Sequence, residues 1–142
     1  MMKTRTEVLE ALKGIDLVED FSLRERSMMA DSLRPEEFAD GEVIVREGDT
    51  DGRFFIVTQG NVVAKANGRK LATFGPGQYF GEVALIDRGP RTATVSAVGA
   101  VATLSVASFT FRPLLKSNPD LQHKLLLKLC ERLRAADKRL IG

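Results

Sequence analysis

The spacing of apolar residues changes twice along the 142-residue chain. From Thr4 to Lys13, Val8, Leu9 and Leu12 share one side of a helix, and Thr4-x-x-Glu7 forms a capping box at its start. Ile15, Leu17, Val18 and Phe21 crowd a turn-like connection. A second capping box, Ser22-x-x-Glu25, opens a predicted helix from Ser22 to Leu33, with Leu23, Met29, Ala30 and Leu33 facing inward. From Pro35 to Val106 the pattern becomes that of strands. Turn signals at Asp40-Gly41, Gly48 to Gly52, Gly60-Asn61, Asn67-Gly68 and Gly75-Pro76-Gly77 separate runs at Glu42–Arg46, Arg53–Gln59, Val62–Ala66 and Lys70–Phe74. Two further runs alternate, Thr92 to Ala97 and Ala100 to Val106, as half-buried strands do.

The last third returns to helical spacing. Ser108 or Thr110 is placed to cap a short helix through Lys116, with Pro113 tolerable in its first turn. Asn118-Pro119-Asp120 then reads as N-cap, proline at N1 and an acid in the first turn of a helix running to about Leu140. Leu121, Leu125, Leu129 and Leu133 make an inward stripe, while Leu126, Leu127 and Cys130 add apolar surface beside it. That surplus fits a second contact, either a partner chain or a lid over the ligand, slightly better than it fits a wider groove on the same barrel. The order of elements predicts an α+β fold: short N-terminal helices over 4–33, a β-jelly-roll barrel over 36–106, and C-terminal helices over 108–140, in one domain spanning 1–142.

Composition adds limits. The residues are 44% hydrophobic and 28% charged, and the net charge of +2 argues for neither nucleic acid nor a membrane surface. One cysteine permits no intrachain disulfide, and no leading apolar run marks a signal peptide, so the expected location is cytoplasmic. A single histidine, His123 on a predicted helix, argues against metal chemistry of the cupin type and against a serine–histidine hydrolase, so no metal and no catalytic residue are expected.

One stretch breaks the strand pattern, from Phe80 to Val95. Gly81 permits close approach of backbone or ligand, and a helical turn at Val83–Ile86 presents unpaired amides. Arg91 follows a rigid Gly89-Pro90 pair and opens a strand. A guanidinium facing such amides suits a phosphate with free equatorial oxygens. Glu82 repels a bare phosphate but suits a ligand that also offers a donor, such as a sugar hydroxyl. Taken alone, Arg91 reads more readily as a surface salt bridge to Asp87 or Glu82, and Glu82 as an acid at a helix N-terminus.

Phe80-Gly81-Glu82, Ala84-Leu85 and Pro90-Arg91-Thr92-Ala93-Thr94-Val95 resemble the phosphate-binding cassette of the cyclic nucleotide-binding domain family. The resemblance extends to Gly41-Glu42-Val43-Ile44, Arg46-Glu47-Gly48-Asp49, Phe54-Phe55-Ile56-Val57 and Gly60-Asn61-Val62. It implies a cassette over 80–95, inserted between strands, in which Gly81, Glu82, Val83, Ala84, Arg91, Thr92 and Ala93 bind a cyclic nucleotide. Arg91 meets the phosphate with the amides of Ala84 and Thr92, and Glu82 accepts from the ribose 2′-hydroxyl. In some relatives the C-terminal helix supplies a residue that stacks on the purine; here the candidates are Leu129, Arg132 and Leu133. Thr92 stands where cAMP-dependent kinases usually carry alanine and where cyclic GMP kinases and the gated channels often carry threonine, so it admits cGMP; cAMP is still the first expected ligand, by analogy with the bacterial-looking members of the family, which mostly answer to cAMP.

The function implied is a regulatory sensor, not an enzyme. Ordering of the cassette changes what Leu85 and Ile86 pack against, and the C-terminal helix rearranges. The stripe Lys124, Lys128, Arg132, interleaved with Glu131 and Asp137, reads as a solvated face rather than a nucleic-acid or membrane surface. A second copy of the chain or an effector protein is the expected partner of the C-terminal helix. The alternatives are an interaction module of the same fold that has lost its ligand, and the sensor fragment of a longer transcription regulator or channel.

Overall fold

The computed structural model describes residues 4–85 and 89–141, with the backbone alone at 84, 85 and 138–141. Both capping boxes form. Thr4 accepts from the Glu7 amide at the start of α1 (Arg5–Lys13), and Ser22 from the Glu25 amide at the start of α2 (Leu23–Ser32). Between them Asp16–Val18 makes one 3-10 turn with Leu17 and Val18 buried. Met29, Ala30 and Leu33 are buried as expected, but Leu23 is 68% exposed. It occupies the first helical position, nearly two turns ahead of the buried Met29 and Ala30.

Among the described residues six strands follow: β1 (Arg34–Phe38), β2 (Val43–Val45), β3 (Arg53–Ala66), β4 (Arg69–Phe74), β5 (Tyr79–Phe80) and β6 (Thr94–Ala107). All pair antiparallel in one sheet, in the order β1-β6-β3-β4, with β2 on β6 and β5 on β3. Two pairs of expected strands are each one long strand. Gly60 (φ +80°) and Gly99 (φ +73°) do not turn the chain around; they sit where the β3–β6 register slips. At Gly60 a side chain would collide with the Ala100 carbonyl, so the backbones approach there as only glycine permits. β6 also begins two residues later than expected, leaving Thr92 and Ala93 in a bend before it. β1 was not separately foreseen. Its Pro35 is tolerated because the strand lies at the sheet edge.

The run Phe54-Phe55-Ile56-Val57 is buried throughout because the sheet is covered on both faces. Phe54 and Ile56 join Leu104, Val106 and the helices in an outer core. Phe55 and Val57 join Ile44, Val62, Val95, Ala97 and Phe80 in an inner one.

The chain closes with α3 (Ser108–Ser117) and α4 (Pro119–Ile141). Neither expected side-chain cap opens α3: its N-cap is Ala107, without a side-chain hydrogen bond, and Pro113 falls inside the helix rather than in the first turn. Asn118 precedes Pro119, but its side-chain amide donates back to the Leu114 carbonyl and so closes α3. On α4, Leu121 and Leu125 are each 1% exposed and Leu129 packs partly on the outer core. Leu133 is 63% exposed, and Leu126, Leu127 and Cys130 are exposed too. The inward stripe therefore ends at Leu129, and the described residues leave the neighbouring apolar surface exposed.

Candidate functional site

The site begins with two buried aromatics. Phe80 stacks on Phe55 at 5.0 Å between centroids and Tyr79 tilts against Phe54 at 5.7 Å, which pins β5 to β3 through both cores. The chain then leaves the sheet at Gly81 (φ +82°) and makes a 3-10 turn over Glu82–Leu85. That turn starts one residue earlier than the expected Val83–Ile86. Its first amides have no carbonyl one turn back to bond. Ile86, Asp87 and the Leu85 side chain lie outside the described residues, so the packing role expected of Leu85 and Ile86 does too.

Across from this turn stands Arg91. Its backbone is fixed by two bonds to the loop before β3: the Gly48 amide donates to its carbonyl at 2.8 Å, and its own amide donates to Asp49 at 2.7 Å. Its side chain is only 9% exposed. Nε donates to Asp51 at 2.7 Å and Nη2 to the Arg53 carbonyl, while Nη1 lies against Gly81, where an added Cβ would stand 2.5 Å away. The acid that holds Arg91 is thus Asp51, not Glu82. A guanidinium held on two edges is oriented before any ligand arrives, which limits the entropy lost on binding. Arg53 adds positive charge nearby. Burial, then the Arg91 charge, hold its own pKa below the usual value, and its guanidinium pairs with Glu36 and Ser105 and covers the Phe55 ring at 4.7 Å.

Gly81, Glu82, Val83, Gly89, Pro90, Arg91 and Thr92 enclose a cavity of about 230 Å³. Five of the seven expected binding residues therefore line one space. Ala84 contributes its backbone to the 3-10 turn, and Ala93 packs against the inner core rather than lining the cavity.

The basic stripe of α4 is not a solvated face. Each cation reaches an acid on a different element: Lys124 pairs with Glu25 of α2 at 2.7 Å, Lys128 with Glu19 after the first 3-10 turn, and Arg132 with Glu82 at 2.8 Å. Lys128 is 8% exposed, and its hydrogen bond with Glu19 raises its pKa despite the opposing effect of burial. For Glu25, burial pushes the carboxyl up, but hydrogen bonds from Lys124 and the Ser22 amide outweigh it and hold the pKa below the usual value. These cations share a helix with acids at ordinary spacing, and the sequence carries no sign that the acids they meet lie elsewhere.

Of the three candidates on α4, Arg132 is the one brought to the cavity edge. Its guanidinium lies 4.5 Å over the Tyr79 ring. Its Nη1 meets Glu82 as an ion pair, not as an aligned hydrogen bond, and that buried nitrogen has no aligned acceptor among the described residues. Tyr79, Asp16, Asp51 and Arg53 were not anticipated. Burial and a hydrogen bond to Asp16 raise the Tyr79 pKa. Its place directly before Phe80-Gly81-Glu82 was the available signal for Tyr79; Arg53 acts through a carbonyl, for which no side-chain pattern exists.

Among the described residues no group of three or more His, Cys, Asp or Glu is placed to hold a metal ion, and no helix is long and apolar enough to cross a membrane.

Comparison with known proteins agrees with this geometry. The family model described as "Cyclic nucleotide-binding domain" matches residues 35–118, more than half of the chain. A cAMP-dependent protein kinase regulatory subunit of Dictyostelium discoideum is 37% identical over 106 residues, covering 69% of this chain and 32% of that one. A cyclic nucleotide-gated potassium channel of Mesorhizobium japonicum is 42% identical over 106 residues, covering 74% and 29%. The chain thus spans about a third or less of these relatives. Among solved structures, the regulatory domain of Toxoplasma gondii PKA with cAMP superposes with a TM-score of 0.73 at 35% identity, covering 87% of this chain and 50% of that one. The N-terminal domain of a Streptomyces coelicolor transcriptional regulator superposes at 0.79 with 28% identity, covering 93% and 96%.

Proposed function

The chain belongs to the cyclic nucleotide-binding domain family, and we propose that it is a sensor whose ligand is cAMP, with cGMP as the weaker alternative. One observation carries this reading: a buried guanidinium, locked on Asp51 and the Arg53 carbonyl, faces the glycine turn and Glu82 across one small cavity. In this reading Arg91 and the amides of the 3-10 turn take the cyclic phosphate, and Glu82 takes the ribose 2′-hydroxyl. The cavity falls below the roughly 300–1,000 Å³ of sites that enclose a drug-sized ligand. It suits the phosphate and sugar, and leaves the base toward α4, where Arg132 can stack on it. The relatives named with cAMP support the choice of base; Thr92, exposed at the cavity rim, is the residue through which guanine would be tolerated.

The output in this reading is a change at α4, and the partner is a second copy of the chain or an effector protein that covers Leu126, Leu127 and Leu133. The module performs no reaction of its own and works in the cytoplasm. Calorimetric titration with cAMP and cGMP, with 5′-AMP as control, tests the proposal. Micromolar or tighter binding of a cyclic nucleotide, with none of 5′-AMP, is expected. Failure of both cyclic nucleotides would leave a protein-interaction module that uses the exposed leucines.

A further inference from the structure

The Arg53 carbonyl that accepts from Arg91 stands at the very start of β3. The loop before it ends in Gly52, with φ +64°. Arg53 pairs with Ala107 of β6 on one side, but on the cassette side the pairing of β3 with β5 stops at Phe55–Phe80, so no strand residue faces it there. Its side chain supplies the missing restraint. Nη2 donates to Oε1 of Glu36 and, at 3.0 Å, to Oγ of Ser105. Ser105 is 2% exposed and donates to the same Glu36 oxygen at 3.0 Å. Glu36 is itself fixed on β1, where the Thr103 hydroxyl donates to its carbonyl at 3.3 Å. A carboxylate on the edge strand therefore reaches across β6 to hold the first residue of β3. It also balances a guanidinium close enough to Arg91 for the two charges to repel.

We propose that Glu36 is a positioning residue of the phosphate site: through the Arg53 side chain it fixes the carbonyl on which Arg91 is aimed. The inference rests on the cyclic-nucleotide reading of the cavity. Asp51 holds one edge of the Arg91 guanidinium directly, and Glu36 holds the other edge through β3. Loss of Glu36 leaves the Arg91 charge in place but frees its direction. It also leaves the Arg53 cation without its counter-charge, and that cation still attracts an anion. Overall affinity thus mixes two opposing effects, whereas the direction of Arg91 is read by a ligand whose two exocyclic phosphate positions differ.

The Sp and Rp phosphorothioates of cAMP each carry sulfur in place of one exocyclic oxygen. Sulfur is larger and a weaker acceptor, so an oriented guanidinium prefers the isomer that turns oxygen toward it. The ratio of the two affinities, measured by calorimetry on the full chain, reports that orientation. The native chain should discriminate between the isomers. Glu36→Leu and Arg53→Leu should each bring the ratio about two- to tenfold closer to one, the value of a single hydrogen bond. Glu36→Gln, which keeps an oxygen for Arg53 and Ser105, should shift it by a smaller but measurable amount, and serves if the leucine variant does not fold. Adding Glu36→Leu to Arg53→Leu should change the ratio no further, because Glu36 acts through Arg53. Gly77→Ala, strained but outside the cavity, controls for stability lost elsewhere and should keep the native ratio. A native ratio in the Glu36 variants, additive shifts in the double variant, or equal affinity of the native chain for the two isomers overturns the role of Glu36 alone. If neither cAMP nor its phosphorothioates bind the native chain, the reading of the cavity fails and this inference fails with it.

Discussion

Replacing Gly81 by alanine separates the two things this glycine does. Its φ of +82° strains any L-residue, and its missing Cβ leaves room for Arg91. The strain alone is worth about 1–2 kcal/mol. An added Cβ would stand 2.5 Å from Nη1 of Arg91 and 2.6 Å from the Arg53 carbonyl. The carbonyl belongs to β3 and cannot retreat, and the guanidinium is tied to Asp51 and to that same carbonyl. Overpacking of this kind adds about 1–3 kcal/mol. The total, about 2–5 kcal/mol, corresponds to a melting temperature lower by roughly 6–15 °C in a domain of this size. Gly77 supplies the control: its φ is +85°, yet nothing lies within 4 Å of a Cβ built there. Gly77→Ala should show the strain alone, roughly 3–6 °C. Thermal unfolding by circular dichroism measures both variants, and cAMP titration measures the site. Gly81→Ala should also weaken cAMP binding at least about tenfold, the value of one displaced charge-assisted hydrogen bond, while Gly77→Ala should bind normally. Equal melting losses in the two variants, or native affinity in Gly81→Ala, would refute the reasoning.

Arg91→Lys keeps the charge but cannot hold Asp51 and the Arg53 carbonyl at once; cAMP affinity should fall more than about tenfold, and native affinity by calorimetry would remove Arg91 from the phosphate site. Because Arg91 is almost buried and bonded, Arg91→Ala should lower the melting temperature as well. Thr92→Ala should lower cGMP affinity more than cAMP affinity in paired titrations, and the opposite order would overturn the role given to Thr92. Tyr79 is the single tyrosine, so alkaline absorbance reads it alone. Its pKa is raised by burial and by Asp16, so the folded chain keeps its proton above the ordinary value of 10.0 while the unfolded chain loses it. The stabilisation is complete below that value and is lost as pH rises through the higher one; a tyrosinate signal at pH 10 in the folded protein would contradict the burial.

Local chemistry was legible in the sequence. Both capping boxes and the strand runs lie in contiguous residues, and their geometry follows from spacing, whereas the cassette was legible through its resemblance to a known family. Glycine was legible only in part. Gly60-Asn61 and Asn67-Gly68 look alike on paper, yet one is a register slip within β3 and the other a hairpin between β3 and β4. The difference is set by how much strand follows and what it pairs with, which is tertiary. The same limit explains Arg91 and the α4 cations. The sequence placed Arg91 opposite the glycine turn, but Asp51 is 40 residues distant in the chain. Lys128 meets Glu19 across 109 residues. A charge stripe on a helix reads as solvated until the fold shows which acids it lies against.

The distribution of contacts along α4 decides which part of it a ligand can move. Leu121 and Leu125 are sunk in the outer core, and Lys124 and Lys128 pair with α2 and with the segment before it. Lifting either leucine into water costs about 1.5–3 kcal/mol before any ion pair is broken. Beyond Leu129 the helix changes character. Leu133 is 63% exposed, and Arg132 is the residue that ties this stretch to the cassette. A partly exposed pair of that kind is worth about 0.2–1 kcal/mol. A ligand shifts an equilibrium only by the difference in its affinity for the two states. One added ligand hydrogen bond, about 0.5–1.5 kcal/mol, is comparable to that pair and less than the cost of lifting both leucines. In the function proposed here, α4 therefore hinges near Leu129 instead of detaching. The first half stays as the fulcrum, and the exposed leucines Leu126 and Leu127 at the hinge, with Leu133 on the arm, are where a partner would feel the change.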